Sequence, residues 1–448
     1  MKNNTNMTEG KPLRLIFFFA LPLMFGNIFQ QLYTVVDTAI VGQGVGMQAL
    51  AALGTVDWLN WMATGTALGY TQGFSVRIAQ NYGRKDYEGL KRTLAHSARL
   101  TIIIAIIFTL LGELGLPLFL YLLRVPSDLI SMASLYTRIL WGGFIFVMFF
   151  NYCSSVLRAI GDSKTPLVAM IVACITNIIL DILFVLCFHW GIVGAAIATI
   201  TAQCVSGFVC AVKIYRTPEL YFNRSHLKEE SYITGDLVRL GTPVAAKNLI
   251  IAIGGMTIQT VVNGFGIAFI AGFTASNKLF GLLEIAAVSY GYALTTYVGQ
   301  NYGANKLERI KEGMNVGILL SIITSIIIAI FMFIFGRDIT MLFISSDNPE
   351  LLIEAGDTAY LYLCVMAASL PALYLIYAYQ AGLNGIGNTM VSMTSGFIEF
   401  FIRAILAVII GIIGFESAIF GAEVAAWFGS TIYLGYYYYK EMKQLKMI

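Results

Sequence analysis

Long apolar runs separated by short polar stretches fill almost the whole chain. They fall at residues 15–42, 50–80, 94–122, 131–157, 166–188, 191–215, 237–263, 268–300, 314–343, 356–383, 390–413 and 417–439. Each is about as long as the 20 or so residues that a helix needs to cross a bilayer. A chain in lipid must satisfy its own backbone hydrogen bonds, so the runs read as helices. The pattern predicts an all-α integral membrane protein with twelve transmembrane helices, numbered 1 to 12 in this subsection.

The charges between the runs set an orientation. Lys2, Lys11 and Arg14 precede helix 1, and Arg84, Lys85, Lys91 and Arg92 follow helix 2. Arg158 and Lys164 follow helix 4, and Lys213, Arg216, Arg224, Lys228 and Arg239 surround the 6–7 linker. Lys306, Arg309 and Lys311 follow helix 8, and Lys440, Lys443 and Lys446 end the chain. All of these lie on one side; the other side has Arg124 and Arg337, with Arg138 near the border. The positive-inside rule therefore places both termini in the cytoplasm of a plasma (inner) membrane protein.

The two halves are related. Gln80-Asn81-Tyr82-Gly83 recurs as Gln300-Asn301-Tyr302-Gly303, with Glu88 and Lys91 recurring in register as Glu308 and Lys311. Pro22 has a counterpart in Pro243, Ile160-Gly161-Asp162 in Ile386-Gly387-Asn388, and Gly194-Ala195 in Gly421-Ala422. Correspondences in one order indicate duplication. Six helices per half is an even number, so both halves enter the membrane alike. The expected architecture is two pseudo-symmetric six-helix lobes, residues 1–225 and 226–448, with substrate between them.

Polar residues inside the runs carry the candidate chemistry. Asn27, Gln30, Thr34 and Asp37 in helix 1 recur at helical spacing and form one polar stripe. A carboxylate at membrane depth costs about 2.5–3.5 kcal/mol on insertion scales, so it usually faces an interior cavity. Asp181 is a second isolated acid, and Asn177, four residues before it, shares its helix face. Asn177 alone reads equally well as helix–helix glue, and Thr199 alone as small-residue packing.

Composition narrows the function class. Of 448 residues, 58% are hydrophobic and 12% charged, about half the usual charged share. The first apolar run is too long for a cleavable signal peptide. Cys153, Cys174, Cys187, Cys204, Cys210 and Cys364 lie inside apolar segments without metal spacing and read as buried small hydrophobes. The three histidines are scattered and no P-loop is present, which argues against a metal enzyme and against an intrinsic ATPase. No cofactor and no nucleic-acid partner is expected.

Several motifs together resemble the multidrug and toxic compound extrusion (MATE) family. They are Pro22, Gln30, Tyr33 and Asp37-Thr-x-x-Val-Gly in helix 1, and Gln-Asn-Tyr-Gly after helix 2. Arg158-Ala-Ile-Gly-Asp-x-Lys-Thr-Pro before helix 5 and Asn177-Ile-Ile-Leu-Asp181 within it complete the set. The resemblance covers nearly the whole chain. It implies a cation-coupled antiporter that opens alternately to each side and exports amphipathic, often cationic compounds. It implies a cation site in the N-terminal lobe at Asp37, Asn177, Asp181 and Thr199, and bending of helix 1 at Pro22. Two acids in one low-dielectric cavity cannot both ionise cheaply, so one holds a proton or both share a cation. Oxygen ligands of this kind accept either H+ or Na+, and the coupling ion stays open. Neutralisation by that ion would let helix 1 bend and collapse the drug cavity.

Other positions are weighed against plainer roles. Gln30, Tyr33, Glu284, Met256 and Gln259 are candidates for the substrate cleft, as are Met24, Met148 and Tyr374 by mid-helix position. Lys247, Asn248, Lys278, Glu399, Arg403 and Glu423 are further polar or charged groups of the C-terminal lobe. Glu399 and Arg403, four apart, are expected to pair on one helix face. Glu113 is expected to snorkel, Arg77 to form an inner-gate or headgroup contact, Asp57 and Trp58 to be interfacial, and Tyr436–Tyr439 to form an aromatic belt. Helix 10 carries acids only at its outer end, which weighs against the C-terminal-lobe ion site of some family members. A lipid-linked oligosaccharide flippase is the nearest rival; Lys247 and Lys278 favour it slightly and the buried acids oppose it. A membrane-embedded enzyme lacks a visible catalytic constellation, and a channel lacks rings of like charge. A monomer is the default for a two-lobe carrier.

Overall fold

The computed structural model describes residues 6–123, 125–227, 231–341 and 349–445. Among these residues the fold is helical and no strand occurs. The helices are α1 (Pro12–Gly44), α2 (Met47–Gly83), α3 (Tyr87–Leu122), α4 (Ile130–Gly142), α5 (Phe144–Ala159), α6 (Lys164–Asp181) and α7 (Gly191–Tyr215). The second half adds α8 (Ser231–Val262), α9 (Ile267–Gly303), α10 (Leu307–Met341), α11 (Pro349–Ile386), α12 (Thr389–Ile413) and α13 (Ile419–Gln444). Among the described residues, nine helices are long and apolar enough to span a membrane, and α4 with α5 makes a tenth. The more polar α2 and α13 complete the twelve spans predicted from the sequence.

Two spans depart from simple rods. The run at 131–157 bends by 45° between α4 and α5. Its hinge is Gly142-Gly143, and a Cβ on Gly143 would lie 2.4 Å from Ile200 Cδ1, so α7 packs against the bend itself. Kinks at glycine are an expected exception to helix regularity. The run at 166–188 is α-helical only to Asp181; Ile182–Cys187 continues it as a wider π-helical turn.

Helix faces are sorted by size as lipid requires. On α10 the buried positions Gly313, Gly317, Ser321, Ser325 and Ala329 recur every fourth residue. The opposite face exposes Leu319, Ile323, Ile326, Ile330 and Ile334. On α3, its repeat partner, Ser97, Thr101, Ala105 and Gly112 are buried while Ile103, Ile107, Leu110 and Leu114 are exposed. Small residues inward and large apolar residues outward are the signature of helices that pack in a bilayer.

The chain forms two compact units. Unit 1 contains Met1–Asn6 and Leu21–Ala245, and unit 2 contains Met7–Ala20 and Ala246–Ile448. α1 and α8 each pass from one unit to the other, close to the repeat-related Pro22 and Pro243. In unit 1 the first half of α8 lies against α2 with no room for side chains: a Cβ on Gly69 would sit 2.3 Å from Ala245 Cα, and one on Gly73 2.4 Å from Gly241 Cα. Just beyond, Arg77 Nε pairs with Asp236 Oδ2 at 2.6 Å, and Arg77 also donates to Gln80 Oε1 at 3.0 Å. Arg77, expected at an inner gate or a headgroup contact, holds the start of α8 through this pair. In unit 2 the second Gln-Asn-Tyr-Gly holds the N-terminal segment. Met7 N donates to Gln300 Oε1 at 3.0 Å, Asn301 Nδ2 to Met7 O at 2.9 Å, and Lys306 Nζ to Thr8 O at 2.9 Å.

The duplication reaches into backbone conformation. Lys85 and Asn305, at the same place after the two Gln-Asn-Tyr-Gly motifs, have φ of 61° and 56°. Gly161 and Gly387 have φ of 91° and 98°, in the left-handed region that glycine enters at little cost. Asp162 then caps α6, accepting from Lys164 N at 3.1 Å and Thr165 N at 3.0 Å through Oδ1. Among the cysteines, all free, only Cys153, Cys174 and Cys210 are buried; Cys187 is exposed on the π-helical turn and Cys204 and Cys364 are half-buried.

Candidate functional site

α1 and α6 run side by side in unit 1. Gly26 of α1 approaches Leu167 of α6, a Cβ there lying 3.9 Å from Leu167 Cα. Near the other end Gly44 meets Val185 and Leu186, a Cβ lying 2.5 Å from Leu186 Cδ2. The stretch from Gly26 to Gly44 therefore matches Leu167 to Leu186 in length to within a residue, and the helices are parallel. That register brings Asp37 beside Asp181. The two carboxyls lie within electrostatic and hydrogen-bonding reach of each other, and Asp57 is also in range of Asp37. Asp181 and Asn177 are fully buried and Asp37 is nearly so.

The oxygens around this pair are short of partners. Asp37 Oδ1, both carboxyl oxygens of Asp181 and the side-chain oxygen and nitrogen of Asn177 make no hydrogen bond within the protein. On α7, which packs on α6, Thr199 Oγ1 is in the same state, and so is Gln203 Oε1 one turn later. A buried polar atom left unsatisfied costs about 1–3 kcal/mol. A set of carboxylate, amide and hydroxyl oxygens fits a proton or a hard cation, which takes oxygen ligands. The wider π-helical turn begins at the residue after Asp181, and such turns are frequent at functional sites.

The rest of the stripe divides. Tyr33 has Gln30, Thr34 and Gln203 as hydrogen-bonding neighbours and Asp37 as a charged one. Thr34 is exposed and its hydroxyl donates to Gln30 O at 3.0 Å. Pro22 is inside α1 and deprives the carbonyl of Phe18 of its helical donor. Two neighbours escaped the sequence reading. Gln203 was visible as the position four after Thr199 on the same face. Tyr136 of α4, buried and in electrostatic range of Asp37, Asp57, Tyr33 and Asp181, gave no signal, because only the fold brings it there.

Met256 and Gln259 are half-buried on α8, where Gln259 Nε2 donates to Asn263 Oδ1 at 2.8 Å. Met148 and Tyr374 are core residues, fully buried, with the Tyr374 hydroxyl donating to Leu283 O at 2.8 Å. In unit 2 the Tyr377 hydroxyl donates to Glu284, and Lys247 Nζ donates to Gln380 Oε1 at 2.8 Å. Glu399 and Arg403 do not form the expected intrahelical pair: Arg403 NH2 turns to Glu423 Oε1 on α13, 2.6 Å away. The side chain of Lys278 lies outside the described residues. Glu113 does not snorkel alone but pairs with Arg138 at 2.9 Å. Tyr436 and Tyr439 are exposed as belt residues are, whereas Tyr438 is buried against Tyr379. Among the described residues, no group of three His, Cys, Asp or Glu side chains offers a metal site.

Comparison with known proteins identifies the family. The MatE family model matches residues 22–183 and again 243–409, once in each half. The chain is 31% identical over 346 residues to the Probable multidrug resistance protein YpnP of Bacillus subtilis (strain 168), covering 77% of each. It is 23% identical over 411 residues to the Probable multidrug resistance protein NorM of Thermotoga maritima, covering 90% of this chain and 87% of that one. A crystal structure of MATE in complex with MaL6 superposes over 99% of both chains with a TM-score of 0.90 at 22% identity. With the family model matching most of the chain, twice and in order, this protein belongs to the MatE family and is a twelve-helix, two-lobe multidrug and toxic compound extrusion (MATE) transporter, not an enzyme.

Proposed function

We propose that the chain is a secondary antiporter of the plasma membrane that exports amphipathic and often cationic compounds in exchange for H+ or Na+. The observation that carries this reading is the Asp37–Asp181 pair among oxygens without internal partners. Facing carboxylates repel each other unless a cation or a proton stands between them. An ion entering this site neutralises it, and the neutral site no longer favours the hydrated arrangement of α1. α1 then bends at Pro22, where its hydrogen-bond ladder is already interrupted. Substrate and ion drive each other by preferring different states of this one equilibrium. Both termini face the cytoplasm in this reading.

The relatives named for multidrug resistance support the substrate class. The flippase reading gains nothing from the geometry: Lys247, its best cation for a pyrophosphate, is engaged by Gln380 and lies near Glu284 and Glu399. The test is cationic-dye transport in proteoliposomes with a pH gradient and a Na+ gradient imposed separately, for the native protein and Asp181→Asn. Transport driven by one gradient and lost in the variant is the expected result and names the ion. Transport that survives the substitution would move coupling away from this site.

A further inference from the structure

The first half of α2 carries a carboxylate and an indole that the Asp37–Asp181 pair does not use. Asp57 and Trp61 are four residues apart and lie on one side of the helix. Both are exposed, Trp61 by 44%. The half-buried Trp58 meets Trp61 edge-on, with ring centroids 6.3 Å apart and planes at 66°, and steadies that indole. Asp57 and Trp58, expected at the membrane interface, are placed differently by the packing of α2.

α1 ends at Gly44 and α2 begins at Met47, so the two helices run back along each other. Where they meet, a Cβ on Gly42 would lie 3.5 Å from Leu50 Cδ2. Asp37 is five residues before Gly42 and Asp57 seven after Leu50, which puts the two acids within a turn of the same depth. Asp57 is accordingly in electrostatic range of Asp37, and of Tyr136. On the other flank, the line of Trp58 and Met62 continues into Gly69 and Gly73, which the first half of α8 covers as far as Ala245. The open strip of Gly54, Asp57 and Trp61 lies between these two flanks, so it is turned toward α1 and α8 and not toward lipid. The composition of α2 agrees: it is not among the nine helices apolar enough to span by hydropathy.

The three acids differ in what they can receive. Asp37 is 8% exposed and Asp181 fully buried, so only a proton or a small bare ion fits against them. Asp57 is open to a bulky group. A carboxylate beside an exposed indole suits an organic cation, whose charge pairs with the first and rests on the ring face of the second. A hydrated inorganic ion gains little from the ring.

We infer that Asp57 and Trp61 form a selectivity subsite for organic cations, separate from the carboxyls that take the coupling ion. The inference rests on the cationic-substrate part of the proposed function. An organic cation held there sets positive charge within range of Asp37 and disfavours an ion at that acid. Substrate and ion then exclude each other by charge without sharing a ligand.

The experiment is equilibrium binding to the full-length protein in lipid nanodiscs, with no gradient imposed. The probes are tetraphenylphosphonium, a permanent cation, and triphenylphosphine oxide, a neutral molecule of related shape. Asp57→Asn should weaken tetraphenylphosphonium binding about fivefold, as loss of an accessible charge pair does, and leave the oxide nearly unchanged. Trp61→Leu should weaken the cation about threefold. Asp57→Glu keeps the charge and should keep most of the cation affinity. These two variants keep the test decisive if Asp57→Asn does not fold. Native protein that binds no tetraphenylphosphonium, cation binding indifferent to Asp57→Asn and Trp61→Leu, or Asp57→Glu as weak as Asp57→Asn would overturn the proposal. Binding through Asp57 in a protein that exchanges no ion would refute the antiport reading and leave this subsite standing.

Discussion

Asp181 and Asp162 are both buried acids of one helical segment, and their surroundings are opposite. Asp162 has its oxygens filled by Lys164 N, Thr165 N and Thr165 Oγ1. Asp181 has both oxygens without a partner. Removing a cap costs about 1 kcal/mol, so Asp162→Ala should lower the thermal midpoint in detergent and leave the ion dependence of transport as it is. Asp181→Asn should do the reverse: the midpoint stays at or above that of the native protein, because an uncompensated buried charge is gone, and gradient-driven transport is lost. Thermal unfolding and dye transport on the same two preparations check both. A lower midpoint for Asp181→Asn would mark it as a structural residue. At this scale the sequence was informative where a residue is chemically out of place, as an acid in an apolar run is. It was silent where the partner comes from another helix. Arg403 was legible as half of a pair with Glu399, yet it pairs with Glu423, because side chains twenty positions apart meet only through the packing of α12 on α13. Tyr136 was missed for the same reason.

Elements were legible because lipid imposes one rule on all of them. Twelve apolar runs became twelve spans, and even the less apolar α2 and α13 were recognisable by length. What the runs could not show was local geometry. The break at Gly142-Gly143 and the π-helical turn after Asp181 leave length and apolarity unchanged, so a hydropathy pattern passes over them. Nor does it distinguish a glycine that must be glycine from one that is merely tolerated. Gly73 must be: the atom in its way is the Gly241 backbone, 2.4 Å from a Cβ, which cannot swing aside. Overpacking a tight interface costs about 1–3 kcal/mol where side chains can adjust, and Gly73→Ala should cost at least the upper part of that range. Leu319, 58% exposed on the outer face of α10, is the control, and Leu319→Ala should leave the thermal midpoint in detergent nearly unchanged. Equal losses from the two substitutions would mean that the α2–α8 crossing is looser than described.

At the scale of the whole molecule, the duplication visible in Gln-Asn-Tyr-Gly and its flanking residues has a physical role that the repeated letters do not disclose. Each half contributes a helix segment to the compact unit dominated by the other. Ser231 to Ala245, from the second half, is fixed in unit 1 by Gly69, Gly73 and Arg77 and by His96, whose Nδ1 is 2.9 Å from Thr234 Oγ1. Met7 to Ala20, from the first half, is fixed in unit 2 by Gln300, Asn301 and Lys306, and by Arg309, which donates to Gly10 O at 2.9 Å. Met7 is fully buried in that setting. A half expressed alone would therefore expose the glycine face of α2, or the polar cradle of Gln300 and Asn301, with nothing to cover it. Residues 1–227 and 231–448 produced separately should be short-lived and degraded, and produced together they should copurify through a tag on either one. Substituting Arg77→Ala together with Gly73→Leu in the first fragment should abolish that copurification, since both attack the hold on the start of α8. A first fragment that is stable to protease by itself, or copurification indifferent to these substitutions, would show that the exchanged segments follow from the fold without supporting it.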